Sequence, residues 1–187
     1  MLNRRFLLAF IMVLAGVVAT YAQASDVAVA AIRVEYQRIW SSRSTYKTRS
    51  VDLPDELTEG GEGGEGIAYY ENKSLKLLAV ARYWETGKLE TQYYYKNGQL
   101  FFALNLLYSY NRPFYYDKKA ARESGDTEAF DLKKAVIKED RYYLQNGKLI
   151  RWLDHTKKEQ PLAAASQQQD YRELLAREVS VRAGLRK

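Results

Sequence analysis

Apolar and polar residues alternate along two stretches of the chain, residues 66–110 and 136–154, and turn residues divide each stretch into short runs. Alternation with a period of two is typical of β-strands that bury one face. Asn97-Gly98 and Asn146-Gly147 lie between such runs and favour two-residue hairpin turns, which need positive φ at both central residues. The pattern therefore predicts an antiparallel β-meander of about six strands.

Two further segments have the spacing of amphipathic helices. Within residues 25–42, apolar side chains recur on one helical face at Val29, Ile32, Tyr36, Ile39 and Trp40. Within residues 167–183, a second, mostly apolar stripe consists of Tyr171, Leu174, Leu175, Glu178 and Val179. Together with the meander, these segments predict an α+β fold in which residues 25–187 form a single β-hairpin-repeat domain with an N-terminal and a C-terminal helix.

A short phrase recurs at the predicted turns, and each copy has a Tyr and a second large side chain, then two turn residues, then a Leu. The four copies begin at Tyr69, Tyr83, Tyr94 and Tyr143. Taking Asn72-Lys73, Thr86-Gly87 and Asn97-Gly98 as two-residue turns fixes the residues that oppose each other in each hairpin. These registers predict one common apolar face: Ile67, Leu78, Val80, Trp84, Leu89, Tyr93, Tyr95, Leu100, Phe102, Leu104 and Leu106.

The opposite face of the predicted sheet carries aromatic side chains between small ones. Its aromatic members are Tyr70, Tyr83, Tyr94 and Phe101, and its small members are Ala79, Ala81 and Ala103. Tyr has a flat apolar ring with a polar tip, which suits contacts with peptides, glycans and protein surfaces. We therefore predict that the four aromatic residues form a binding platform. The alternative is a structural role, because small residues also let a terminal helix pack against a sheet.

Residues 1–24 have the order of regions found in a secretory signal peptide. Arg4 and Arg5 precede an apolar run over residues 6–18, and Ala22-Gln23-Ala24 matches the small-x-small cleavage rule. The apolar run is short for a membrane span, so we expect no stable membrane span after cleavage. The prediction is an exported protein, periplasmic or secreted, whose mature chain starts at Ser25. The alternative is a retained N-terminal anchor.

The distribution of charge and the glycine-rich segment give no indication of nucleic-acid binding or of an EF-hand calcium site. The chain has 29 Lys and Arg residues against 23 Asp and Glu residues, a formal net charge of +6. Because the two signs are interspersed, nucleic-acid binding is not indicated. Residues 60–66, which alternate Gly with Glu62 and Glu65, are predicted to be a flexible acidic loop whose spacing fits no EF-hand.

Catalytic and metal-binding signals are sparse. There is no Cys and only one His, His155, and no Gly-x-Ser-x-Gly motif is present to position a nucleophilic Ser. A typical zinc site needs several His or Cys ligands. We therefore predict no catalytic residues, no metal site and no cofactor. Composition alone leaves a two-carboxylate glycosidase open, since acidic residues such as Glu85, Glu90, Glu139 and Asp140 lie in or beside predicted strands.

The phrase Tyr-Tyr-x-Asn-Gly-x-Leu at hairpin spacing resembles the MORN-like repeats of exported bacterial proteins. The resemblance covers residues 66–110 and 136–154, and residues 141–154 are similar to a segment of secreted bacterial proteins. It implies an antiparallel meander and an export signal, and it brings no catalytic residues. The copies are 14, 11 and 49 residues apart, so an irregular sheet is expected rather than a regular solenoid.

The predicted function is that of an exported, non-catalytic binding protein. Its partner would be an envelope protein or a peptide, reached through Tyr-lined hairpins or an exposed strand edge. The alternative is a glycan- or peptidoglycan-binding module that uses the same aromatic residues. An enzyme of unknown class comes third.

Overall fold

The computed structural model of the protein describes residues 25–58 and 61–186, so the predicted signal peptide over residues 1–24 lies outside the described residues. Within this part, one antiparallel sheet has seven strands whose spatial order is their chain order. The strands are β1 Lys47–Val51, β2 Gly64–Glu71, β3 Ser74–Trp84, β4 Gly87–Lys96, β5 Gln99–Ser109, β6 Val136–Gln145 and β7 Lys148–Leu153. The helices are α1 over residues 25–42, α2 Asp55–Thr58, α3 Lys118–Glu123 and α4 Ala165–Ala183. Short 3₁₀ turns span Arg43–Thr45, Leu132–Lys134 and Gly184–Arg186.

The predicted α+β meander with terminal helices is confirmed, with seven strands rather than about six. The additional strand is β1, which pairs with β2 at one edge of the sheet, with Lys47 opposite Tyr70. Its first four residues are exposed, and they include Lys47 and Arg49. Charged side chains on an edge strand oppose further strand pairing. Among the described residues, no helix is long and apolar enough to span a membrane.

The two terminal helices cover opposite faces of the sheet and create two separate cores. The α4-side core consists of Val51, Ala68, Leu78, Val80, Tyr93, Tyr95, Ala103, Tyr142, Leu144, Trp152, Leu174 and Val181. The α1-side core consists of Val29, Ile32, Ile39, Tyr46, Leu77, Tyr94, Phe102, Leu104 and Tyr143. A sheet buried on both faces by helices forms a three-layer arrangement, which leaves only the ends and edges of the sheet for surface contacts.

Three hairpins share one local structure at their turns. Asn72-Lys73, Asn97-Gly98 and Asn146-Gly147 all have positive φ at both residues, as a type I′ turn requires. In each hairpin the first two residues after the turn pair with the last two residues before it, and the third residue of the second strand is not paired with any residue of the first strand. These unpaired residues are Lys76, Phe101 and Ile150. The repeated phrase therefore forms a hairpin that is followed by a β-bulge.

The bulges overturn part of the predicted face assignment, because one extra residue moves every later side chain to the other face. Beyond the bulge, Phe102, Leu104 and Leu106 lie on the α1 side, away from Tyr93 and Tyr95. In β2 it is Ala68, instead of the predicted Ile67, that opposes Leu78. The assignments of Leu78, Val80, Tyr93, Tyr95 and Leu100 to one face are confirmed.

Three smaller expectations also change. The β3–β4 turn is Glu85-Thr86 rather than Thr86-Gly87, since Trp84 pairs with Gly87, and the resulting two-residue shift preserves the faces. Of the segment predicted to be a flexible acidic loop, residues 64–66 belong to β2 instead, with Gly64 paired to Arg82. On α4, Val179 is exposed, and Val181 takes the expected place against the sheet.

Candidate functional site

The four aromatic residues predicted to form a platform do not share one surface. Tyr94 is 0% exposed beneath α1, where its ring lies 5.0 Å from that of Tyr36. Phe101 is the bulge residue of its hairpin and packs against the α1-side core, whereas Tyr70 packs against the α4-side core. The common platform is therefore wrong: Tyr70 lies on the other face of the sheet because of the bulge in its hairpin, and α1 covers Tyr94, as the alternative of a terminal helix packed on this face predicted. A binding contribution from Tyr70, Tyr83 or Phe101 stays a prediction.

Tyr83 lies at the far end of β3 and leads to a distinct site. A cleft of about 320 Å³ is lined by Glu62, Tyr83, Trp84, Tyr110 and Phe114. We call it the aromatic cleft. It lies at the end of the sheet that carries the Glu85-Thr86 turn, opposite the end that carries the three bulged hairpins.

Backbone hydrogen bonds from two other segments hold the β3–β4 turn in place. On one side, the Glu62 N–H donates to the Tyr83 carbonyl (2.8 Å), and the Tyr83 N–H donates to the Gly63 carbonyl (3.0 Å). On the other side, the Phe114 N–H donates to the Glu85 carbonyl (2.9 Å). Because satisfied backbone groups resist displacement, the cleft walls are fixed relative to the sheet.

A glycine lets the indole of Trp84 lie close to the sheet. A Cβ on Gly87 would stand 2.2 Å from the Tyr108 carbonyl oxygen and 2.8 Å from Trp84 Nε1. Real Cβ atoms do not approach other atoms so closely, so only glycine fits beneath this indole.

The outer wall of the aromatic cleft is a braced loop that follows β5. The ring of Tyr110 meets that of Phe130 at 5.2 Å in an edge-to-face contact. The Asn111 side chain donates to the Ala129 carbonyl (3.0 Å) and accepts from the Asp131 N–H (3.0 Å). These contacts connect the two ends of the loop, so the backbone that carries the aromatic residues between them is held in place.

Two large aromatic side chains beside the aromatic cleft are exposed to solvent. Phe114 is 48% exposed and Tyr115 is 56% exposed. Their ring centroids are 5.5 Å apart, and the ring planes meet at 82°. The pair therefore forms a corner with apolar surface on both walls, where a protruding group can contact two rings at once.

Three carboxylates surround the aromatic cleft. Glu62 lines it, Glu65 accepts a hydrogen bond from the Tyr83 hydroxyl (2.5 Å), and Glu85 lies in the turn. Burial, together with the hydrogen bond to Glu65, raises the pKa of Tyr83 well above its ordinary value. The charge of Glu85 is the main cause of a raised pKa at Tyr115. Both phenols therefore stay protonated at neutral pH, and the formal charges of the site are negative.

A second, larger cleft lies at the β1 edge of the sheet, and the predicted site residue Tyr70 is part of its lining. Its volume is about 750 Å³, and it is bounded by Thr45, Tyr46, Lys47, Arg49, Tyr70, Glu71, Asn72 and Lys73. The Arg49 guanidinium already donates to the Leu185 carbonyl at 2.9 Å. This cleft has two aromatic residues in its lining, against four in the aromatic cleft, and its basic residues are Lys47, Arg49 and Lys73.

Of the four acidic residues considered for catalysis, Glu90 and Glu139 join ion pairs, whereas Glu85 and Asp140 join none within the described residues. Glu139 pairs with Arg141 and Lys157, each at 2.6 Å. Asp154 accepts from the backbone N–H groups of Thr156 and Lys158, so it stabilises its own loop instead of orienting the neighbouring His155. Within residues 25–58 and 61–186, no group of three or more His, Cys, Asp or Glu side chains is arranged to hold a metal ion.

Comparisons of the chain with protein-family models, with curated proteins and with solved structures gave no match. The aromatic cleft itself is therefore the basis for proposing a function. Sequence reasoning identified Tyr83 but missed Glu62, Trp84, Tyr110 and Phe114. One signal was available in the sequence, because aromatic residues are dense at the end of β5 and just after it: Tyr108, Tyr110, Phe114, Tyr115 and Tyr116.

Proposed function

We propose that this protein is an exported, non-catalytic binding protein that holds an envelope protein or peptide at the aromatic cleft. The observation that carries the proposal is the exposed pair Phe114 and Tyr115 at the mouth of a cleft walled by further aromatic side chains. Export rests on the order of charged, apolar and small residues in residues 1–24.

Aromatic surface of this kind is typical of binding sites. Each exposed ring offers a large apolar area whose removal from water is favourable by about 25 cal/mol per Å². Trp and Tyr are also enriched among the few residues that carry most of the energy of protein interfaces. The backbone beneath Phe114 is already ordered by the loop bracing, so a partner would meet a preformed surface and lose little entropy on binding.

The shape of the site favours a polypeptide over a glycan. Stacking on a sugar ring uses a flat aromatic face, whereas Phe114 and Tyr115 meet nearly at a right angle. A corner of two rings and a cleft of about 320 Å³ suit a single protruding side chain. A glycan- or peptidoglycan-binding module is the second proposal, and the same experiment distinguishes it.

The test compares retention by immobilised protein from bacterial envelope extract and from purified peptidoglycan. The double variant Phe114→Ala, Tyr115→Ala removes the exposed pair. The matched control is Val136→Ala, Ile137→Ala, which removes comparably exposed apolar side chains from β6. Thermal melts of each variant verify that the fold is intact.

We expect polypeptides that the wild type and the control retain and that the Phe114, Tyr115 variant loses. Equal retention by all three proteins would refute binding at this cleft. Loss of peptidoglycan binding alone would replace the polypeptide partner with a glycan. Mass spectrometry of the protein from its host tests export, and a mature N-terminus at Met1 would contradict it.

A further inference from the structure

The aromatic cleft carries negative charge that its own surroundings do not compensate. Across the part of the chain that the structure describes, Glu62, Glu65 and Glu85 join no ion pair. This is unexpected in a chain with a formal net charge of +6, where basic side chains outnumber acidic ones. Three carboxylates at one end of the sheet therefore give the site the opposite sign to the protein as a whole.

Two basic residues near the aromatic cleft, Lys88 and Arg112, are already engaged elsewhere. Lys88 lies directly across the hairpin from Tyr83, but its Nζ is 3.2 Å from Glu90 Oε2 and 4.5 Å from the centre of the Tyr108 ring. Arg112 belongs to the loop that carries Phe114, and its Nε is 2.9 Å from Asp126 Oδ2. Neither cation is available to neutralise the carboxylates of the aromatic cleft.

The walls of the aromatic cleft provide the second half of a cation site. The face of an aromatic ring attracts a cation electrostatically, and Trp attracts it most strongly. Tyr83, Trp84, Tyr110 and Phe114 all line this one space, with Glu62 in the same lining. Rings alone would accept a neutral apolar group as readily, and carboxylates alone would hold a hydrated cation loosely. Their combination selects an organic cation with an apolar stem.

We propose that the aromatic cleft binds a lysine or arginine side chain of the partner polypeptide. The proposal rests on the proposed function and specifies the chemistry of its ligand. A lysine or arginine side chain has methylene groups to contact the rings and a charged head to meet the carboxylates. The volume of about 320 Å³ accommodates one such side chain with part of its backbone.

The experiment uses blocked pentapeptides, acetyl-Gly-Gly-X-Gly-Gly-amide, with the purified protein. X is arginine, its neutral isostere citrulline, lysine, its neutral analogue norleucine, or glutamate. Binding is followed by the indole N–H resonance of Trp84, which is identified by its absence from the Trp84→Phe variant. We expect the arginine peptide to bind about three- to thirtyfold more tightly than the citrulline peptide, the range that cation–π contacts allow. The ratio should fall as sodium chloride is added.

The variant Glu62→Gln, Glu85→Gln keeps the shape of the site and removes two charges, so it should bring the arginine-to-citrulline ratio towards one. Glu173→Gln on α4 is the control, because Glu173 is an exposed acid outside the cleft, and it should leave the ratio unchanged. Equal binding of charged and neutral peptides, preference for glutamate, or no response of Trp84 to any cationic peptide would each overturn the proposed ligand. The proposed function is decided separately by the capture experiment with the Phe114, Tyr115 variant.

Discussion

Replacing Gly87 with Ala should destabilise the protein strongly for a purely steric reason. The backbone at Gly87 does not have positive φ, so alanine carries no conformational strain there. Its Cβ would nevertheless stand 2.2 Å from the Tyr108 carbonyl oxygen, and that atom is part of the paired strand β5 and cannot swing aside. Overpacking of this kind costs about 1–3 kcal/mol. We expect Gly87→Ala to lie near the top of that range, because the clashing atom belongs to the backbone and cannot move aside as a side chain could.

Gly98→Ala provides the comparison, because the two glycines are required for different reasons. Gly98 has φ of +75° and no atom within 4 Å of an added Cβ, so its cost is conformational and about 1–2 kcal/mol. For a chain of this size, each kcal/mol lowers the melting temperature by about 2–4 °C. We expect thermal melts to show a loss of about 6–12 °C for Gly87→Ala and a clearly smaller loss for Gly98→Ala.

Asparagine separates the two mechanisms further. Asn tolerates positive φ, so Gly98→Asn should be nearly neutral, whereas Gly87→Asn should be at least as damaging as Gly87→Ala. A substitution at Gly63 cannot serve as a control without backbone strain for these variants, because Gly63 also has positive φ, +98°. If Gly87→Ala melted within about 2 °C of the wild type, the close approach of β4, β5 and the Trp84 indole would be wrong.

Three further outcomes follow from burial and charge. Tyr94→Ala should lower the free energy of unfolding by about 3–5 kcal/mol in urea titrations, because it leaves a cavity beneath α1. Phe114→Ala should change it by less than about 1 kcal/mol, because this ring is half exposed. Similar losses for the two variants would contradict the burial of Tyr94 and the exposure of Phe114. Tyr95→Phe should cost about 1–3 kcal/mol, since the buried carboxylate of Glu178 loses its 2.8 Å hydrogen bond, and an unchanged urea midpoint would argue against that bond. Burial raises the pKa of Asp140, whose Oδ1 has no partner within the described residues, so Asp140→Asn should raise the melting temperature at neutral pH. An acid with a raised pKa is protonated more readily in the folded state, so this gain should disappear as the pH falls below the ordinary carboxyl range, and a gain independent of pH would refute the argument.

The turns could be predicted from the sequence because their chemistry is local. Asn97-Gly98 and Asn146-Gly147 occupy the positive-φ positions that Asn and Gly tolerate, and Asn72 does so in the turn whose second residue is Lys73. The strand order follows from these turns. The bulges could not be predicted in the same way. Their unpaired residues are Lys76, Phe101 and Ile150, which share no chemistry, and a bulge is visible only when both strands are aligned.

The aromatic cleft was beyond sequence reasoning for a different reason. Its lining comes from three segments, around Glu62, around Tyr83 and between Tyr110 and Phe114. Backbone hydrogen bonds bring these segments together, and every residue type has the groups that make them. The density of rings after β5 indicated an unusual segment, but only the fold shows that it meets the end of β3.

The position of the cleft follows from the one copy of the phrase that departs from the others. In a meander, alternate turns lie at opposite ends of the sheet, so the turns at Asn72, Asn97 and Asn146 share one end. The copy that begins at Tyr83 is alone at the other end, and it has neither a turn with positive φ nor a bulge. There the turn is fixed instead by contacts from Glu62 and Phe114. Local turn chemistry stabilises one end of the sheet, whereas the other end depends on packing between distant segments, and that packing creates the aromatic surface that we propose as the binding site.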